Sequence, residues 1–103
     1  MKLRDAKILF DRLILDAWRI AVRKKHVFGD HPERLFTLVE IRALVQGSGR
    51  LLDNNKMPSA QPGSFIWACK DNEDRRCELV VLFEPLDGNP NEMVLVISAY
   101  REV

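Results

Sequence analysis

The sequence predicts a single α+β domain over residues 1–103, with two N-terminal helices packed on one face of a three- to four-stranded antiparallel sheet. Three observations predict it. Apolar residues recur with a helical period only in the first half of the chain. Two-residue alternation fills residues 64–100. The alternating stretches are separated by DNEDR and PLDGNPN, turn-forming segments short enough to join only antiparallel neighbours. The chain has 103 residues, 47% hydrophobic and 30% charged, which suits one core and excludes disorder.

Residues 2–24 read as a long helix. At about 100° per residue, Asp5, Arg12, Asp16, Arg19 and Arg23 share one face, and Ala6, Leu9, Phe10, Leu13, Ala17, Ile20 and Ala21 share the opposite one. A second apolar line, Ile8, Leu15, Trp18 and Val22, flanks the polar face. It is expected to meet further core or to form a dimer stripe.

Residues 24–36 read as a polar connection broken by Gly29 and Pro32. Thr37-Leu38-Val39-Glu40 is a capping box, with Phe36 and Ile41 at the staple positions. A second helix is therefore expected over 38–46, ending at Gly47. The turn-rich stretch 48–63 allows a short edge strand over 50–53. Three longer strands are expected at about 64–70, 76–84 and 92–100.

Alternation sorts the strand residues by face. Phe65, Trp67, Cys69, Cys77, Leu79, Val81, Phe83, Met93, Leu95, Ile97 and Ala99 form an apolar face for the helices to cover. The other face carries Ile66, Ala68, Lys70, Arg76, Glu78, Val80, Leu82, Glu84, Val94, Val96, Ser98 and Tyr100. It is apolar in the middle and polar toward one end, as a working surface or a subunit interface would be.

Several chemistries find no motif. Charges interrupt the apolar stretches of the N-terminus, so no signal peptide is expected. No membrane span is expected either, because the longest apolar run, such as Leu79–Phe83, is five residues; a cytoplasmic protein is the default. Cys69 and Cys77 flank one turn. Two buried thiols acting as small apolar residues is the simpler expectation, with a disulfide second. Cys and His spacing suits no metal site, and neither a P-loop nor G-x-G-x-x-G occurs, so no metal and no cofactor are expected. G-x-S-x-G is absent as well.

The formal net charge is +1, which argues against a non-specific nucleic-acid coat. The charge is unevenly spread: residues 1–25 carry 8 basic and 3 acidic side chains, and residues 64–103 carry 4 basic and 8 acidic. A local basic patch at Arg19, Arg23, Lys24 and Lys25 is compatible with this. What is left is metal-free acid–base chemistry, with His26, His31, Arg34, Glu78, Ser98, Tyr100 and Arg101 as its candidates.

The run KHVFGDHPERLF-TLVEIRALV, a Trp-containing strand, CELVVLFE and a final VLVISAYRE resemble the small nuclease fold of RelE, barnase-EndoU-colicin and BrnT-type toxins over about residues 24–102. The resemblance implies metal-independent RNA cleavage on a curved antiparallel sheet. It also implies RNA as substrate and an antitoxin protein as partner. His26 and Arg34 match the polar connection, and Ser98, Tyr100 and Arg101 match the final strand. Two other readings stand beside it. One is a non-enzymatic module, homodimeric through Ile8, Leu15, Trp18 and Val22 or through the second sheet face. The other is a small-ligand binder with Trp18 or Trp67 in an apolar pocket.

Overall fold

The computed structural model describes residues 1–23, 38–54, 63–71 and 73–102. The order is α1 (Leu3–Leu13), a 3-10 turn (Ala17–Arg19), β1 (Ile20–Val22), α2 (Leu38–Gln46), β2 (Gly49–Asp53), β3 (Phe65–Lys70), β4 (Arg76–Leu86) and β5 (Asn89–Glu102). The strands form one mixed five-stranded sheet in the order β1-β5-β4-β3-β2. The α+β class holds. The sheet has more strands than expected, and β1 runs parallel to β5. The expected Thr37 cap, Phe36 staple and 24–36 connection lie outside the described residues.

The first helix is half its expected length. It ends at Leu13, and the segment read as its second half becomes a turn and a strand. On a helix Ile20 and Val22 would extend two different apolar lines, but two residues apart they also share one face of a strand. Pairing with β5 sets Ile20 beside Leu95 and Val22 beside Ile97, over the core. Ala21 falls on the other face and is exposed. β1 pairs with the middle of the outer edge of β5, from Leu95 to Ile97. The stripe Ile8, Leu15, Trp18 and Val22 is therefore not one helical line. Val22 packs partly against the core, while Ile8, Leu15 and Trp18 stay exposed.

The second helix occupies the expected residues. Ala6, Phe10 and Leu13 of α1 and Ile41 and Val45 of α2 pack on one sheet face, against Leu51, Phe65, Trp67, Leu79, Val81, Leu95 and Ile97. Trp67 ties the layers together. Its ring stacks on Phe10 with centroids 4.5 Å apart, and its Nε1 donates to the Leu44 carbonyl near the end of α2 at 2.8 Å. A Cβ at Gly49 would come within 2.6 Å of that indole, so β2 needs glycine there.

The two hairpin turns differ in construction. β4 and β5 meet at Asp87-Gly88, with φ of 50° and 77°, the paired left-handed conformations that a tight two-residue hairpin demands. The strands therefore run closer to the turn than expected. Between β3 and β4, the Asp71 carboxylate accepts from the N–H groups of Glu73 and Arg75, both at 2.9 Å, and from Arg75 Nε at 3.2 Å. Burial alone would raise the Asp71 pKa. The backbone N–H groups and the Arg75 guanidinium outweigh it and hold the carboxyl below its ordinary value.

The face assignment needs one correction. Val81 pairs with Ile97 and Val80 with Ala99, leaving Ser98 as an extra residue in β5. Ile97 faces the core, and the next core residue is Tyr100, three positions on instead of two. Tyr100 thus lies on the helix-covered face, 2% exposed, and Ala99 lies opposite Val80 on the other face. That second face is not bare at its centre: Ile66, Leu82 and Val96 are buried.

Candidate functional site

One rung of the sheet crosses four strands on the face opposite α1 and α2. Arg50 pairs with Ala68, Ala68 with Glu78, and Glu78 with Arg101. Lys70 and Arg76 form the neighbouring rung on the same face, beside the β3–β4 turn. Four cations thus flank Glu78 at one end of the sheet, with the exposed Asp74 beside Lys70. Ala68 sits between Arg50 and Glu78 with only a methyl group, leaving a notch between two long polar side chains.

This end is open. A groove of about 720 Å³ is lined by Arg50, Ala68, Lys70, Asp74, Arg76 and Glu78, together with Ser48, Gly49, Cys69 and Cys77. Arg50 and Arg76 are exposed. Glu78 and Arg101 are about one-third exposed, with Arg101 Nη2 3.9 Å from Glu78 Oε1. Lys70 Nζ lies 3.6 Å from the exposed Asp74 carboxylate. Both of these contacts are long for an ion pair and lie at a solvent-facing end of the sheet, where such pairs hold weakly. The opposite end of the same face differs. There Arg23 Nη2 and Glu84 Oε1 close to 2.7 Å across β5, a tight link between β1 and β4.

The residues singled out from sequence divide as follows. His26, His31 and Arg34 lie outside the described residues. Arg101 stands in the cationic rung beside Glu78. Ser98 is the bulge residue, three positions from Arg101. Tyr100 is buried on the helix side, paired with Leu79. The bulge brings Arg101 to the groove face and takes Tyr100 away from it. Arg50, Lys70 and Arg76 were not foreseen as a group, because only strand register brings them together. Of the basic side chains in residues 19–25, the described Arg23 lies instead at the far end of the sheet, beside Glu84. Arg19 donates to the Met93 carbonyl at 3.3 Å and lies 4.4 Å over the Trp18 ring.

Among the described residues, no three metal-ligating side chains cluster. No described helix is long and apolar enough to cross a membrane. In comparisons with known proteins, no family model, curated protein or solved structure matches the chain.

Proposed function

We propose that the protein is a metal-independent ribonuclease of the RelE/BrnT-like type, acting at the cationic end of the second sheet face. The observation that supports this most is the rung Arg50–Ala68–Glu78–Arg101, with Lys70 and Arg76 beside it. RNA cleavage through the 2′-hydroxyl needs a base for that proton, a cation for the charge gathering on phosphorus, and an acid for the leaving 5′ oxygen. Glu78 takes the hydroxyl proton. Arg101 and Arg50 hold the phosphate oxygens from either side, as guanidinium groups do well. His26 and Arg34, which match the polar connection of the nuclease pattern, are the candidates for the remaining proton carrier and a further cation. Ser98 shapes the strand through the bulge, and Tyr100 anchors it from below. The products are a 2′,3′-cyclic phosphate and a free 5′-hydroxyl.

The test is cleavage of single-stranded RNA, and of message on translating ribosomes, by purified protein at several pH values. Cyclic-phosphate ends are expected, with Glu78→Gln and Arg101→Ala each slowing the reaction by roughly 10²-fold or more. RNA left intact by the wild-type chain under all these conditions overturns the reading.

A second reading draws support from exposed apolar side chains in the N-terminal segment. Ile8, Leu15 and Trp18 are 67%, 80% and 60% exposed. Large apolar side chains exposed to this degree suit a partner, either a second copy of the chain or an antitoxin protein. A dimeric mass by light scattering that becomes monomeric in Trp18→Glu supports the homodimer. A monomeric wild type at high concentration removes it.

A further inference from the structure

Cys69 and Cys77 are directly opposed across β3 and β4, with their sulfurs 3.3 Å apart. Neither is in a disulfide. Cys77 is 1% exposed and Cys69 8%, and both belong to the helix-covered face near the β3–β4 turn. Two sulfurs this close on facing strands already have the neighbourhood that a cross-strand disulfide requires. The Asp71–Arg75 turn fixes the register that opposes them, through three hydrogen bonds to the Asp71 carboxylate and the backbone bond from Asp71 N–H to the Arg75 carbonyl. We propose that Cys69 and Cys77 form a built oxidation site, at which a peroxide converts the dithiol to an intrachain cross-strand disulfide.

The steps balance. The Cys69 thiolate, on the more accessible sulfur, attacks one peroxide oxygen. The O–O bond breaks, hydroxide leaves and takes up the thiol proton as water, and Cys69 becomes a sulfenic acid. The Cys77 sulfur then attacks the Cys69 sulfur. The S–O bond breaks, a second water leaves, and the disulfide forms. In total two thiols are oxidised and one hydrogen peroxide is reduced to two waters. The hydrogen bond to Cys77, and then burial, hold the Cys69 thiol far above its ordinary pKa. The dithiol is therefore largely protonated near neutral pH, so the first step draws on a small thiolate fraction and quickens as pH rises. Ring closure requires no strand movement along the ladder, because the register already opposes the two sulfurs. The inference is independent of the ribonuclease reading, and its test contains no RNA.

The experiment treats the folded full chain with hydrogen peroxide, then denatures it and alkylates the remaining thiols. The expected protein is two hydrogens lighter, takes up no alkyl group, and gives a peptide linking Cys69 to Cys77 after non-reducing digestion. Dithiothreitol restores both alkylation sites. In Cys77→Ser, Cys69 gains oxygen instead of closing a ring. Three results overturn the proposal: both thiols remain alkylable, the disulfide joins two chains, or the wild-type chain gains oxygen atoms in place of losing two hydrogens. The wild-type mapping stands alone if Cys77→Ser fails to fold.

Discussion

The rung Leu51–Trp67–Leu79–Tyr100 and the rung Arg50–Ala68–Glu78–Arg101 are built from the same four strands, one residue apart in each. The first is core on every strand, with exposures from 0% to 7%. The second carries two guanidinium groups, a carboxylate and a notch. Neighbouring residues alternate between faces, so a sheet provides a scaffold and a chemical surface from one stretch of chain. The cost is that both depend on a single register: a slip of one residue would exchange them. The comparison therefore breaks or holds on register, and the tests below run from the largest expected effect to the smallest.

The largest effect is expected from exchanging Tyr100 and Arg101. Uninterrupted alternation would place Arg101 toward the helices and Tyr100 on the groove face, and the exchange would then improve the core. The bulge at Ser98 reverses that placement. Tyr100→Arg with Arg101→Tyr therefore puts a guanidinium in a site that is 2% exposed. A loss of roughly 4 kcal/mol or more is expected in denaturant unfolding. A more stable double variant would restore the straight ladder.

Next in size is Leu79→Ala, in the middle of the core rung and 0% exposed. The cavity left between Trp67 and Tyr100 is expected to cost about 2–5 kcal/mol. A loss below half of the lower bound, read from the urea midpoint at unchanged slope, would show that the core rung lies elsewhere.

These two tests also mark what the sequence made legible. Alternation located β3 and β4 and assigned their faces correctly, since both strands are regular and have one face on the core. The expected extent of α2, 38–46, agrees with the described helix, which is followed by Gly47. β1 was hidden because Ile20 and Val22 each extend an apolar line of the preceding helical pattern, and only pairing with β5 puts them on one strand face. The bulge was hidden because nothing about Ser98 distinguishes it from a paired residue. Its effect appears two positions later, where Tyr100 turns inward. Arg101 was named for its place in the final strand, but its neighbours Arg50 and Glu78 come from strands distant in sequence. Their meeting is a property of pairing, which no local pattern records.

Asp71 tests how the register is held, with a smaller effect. Its carboxylate closes the β3–β4 turn, immediately after Lys70 in the last rung on the groove face. Asp71→Ala is expected to cost about 1–2 kcal/mol at neutral pH through lost charge-assisted hydrogen bonds. The native carboxyl lies below its unfolded value of 3.8, so its stabilisation is complete above that pH. It disappears as pH falls through the lower folded-state value. The gap between wild type and Asp71→Ala should therefore be full at pH 7 and narrow in acid below pH 3.8. A gap independent of pH would assign the effect to the backbone of the turn and not to the carboxylate.

The smallest effect on folding separates the two rungs most directly. Arg50 and Arg76 are exposed, and neither supports the core. Arg50→Ala and Arg76→Ala are expected to change stability by no more than about 0.5 kcal/mol, as surface positions usually do. If the groove holds a phosphodiester chain, each of these cations displaces counterions from it. Each removal should then lower the slope of log affinity against log salt by about one, measured with single-stranded RNA across a salt series. Leu79→Ala, assayed where it remains folded, should leave that slope unchanged, since Leu79 belongs to the core rung. Equal slopes for wild type, Arg50→Ala and Arg76→Ala would mean that the cations at this end of the sheet do not meet phosphate. The difference between the two rungs would then be one of burial alone.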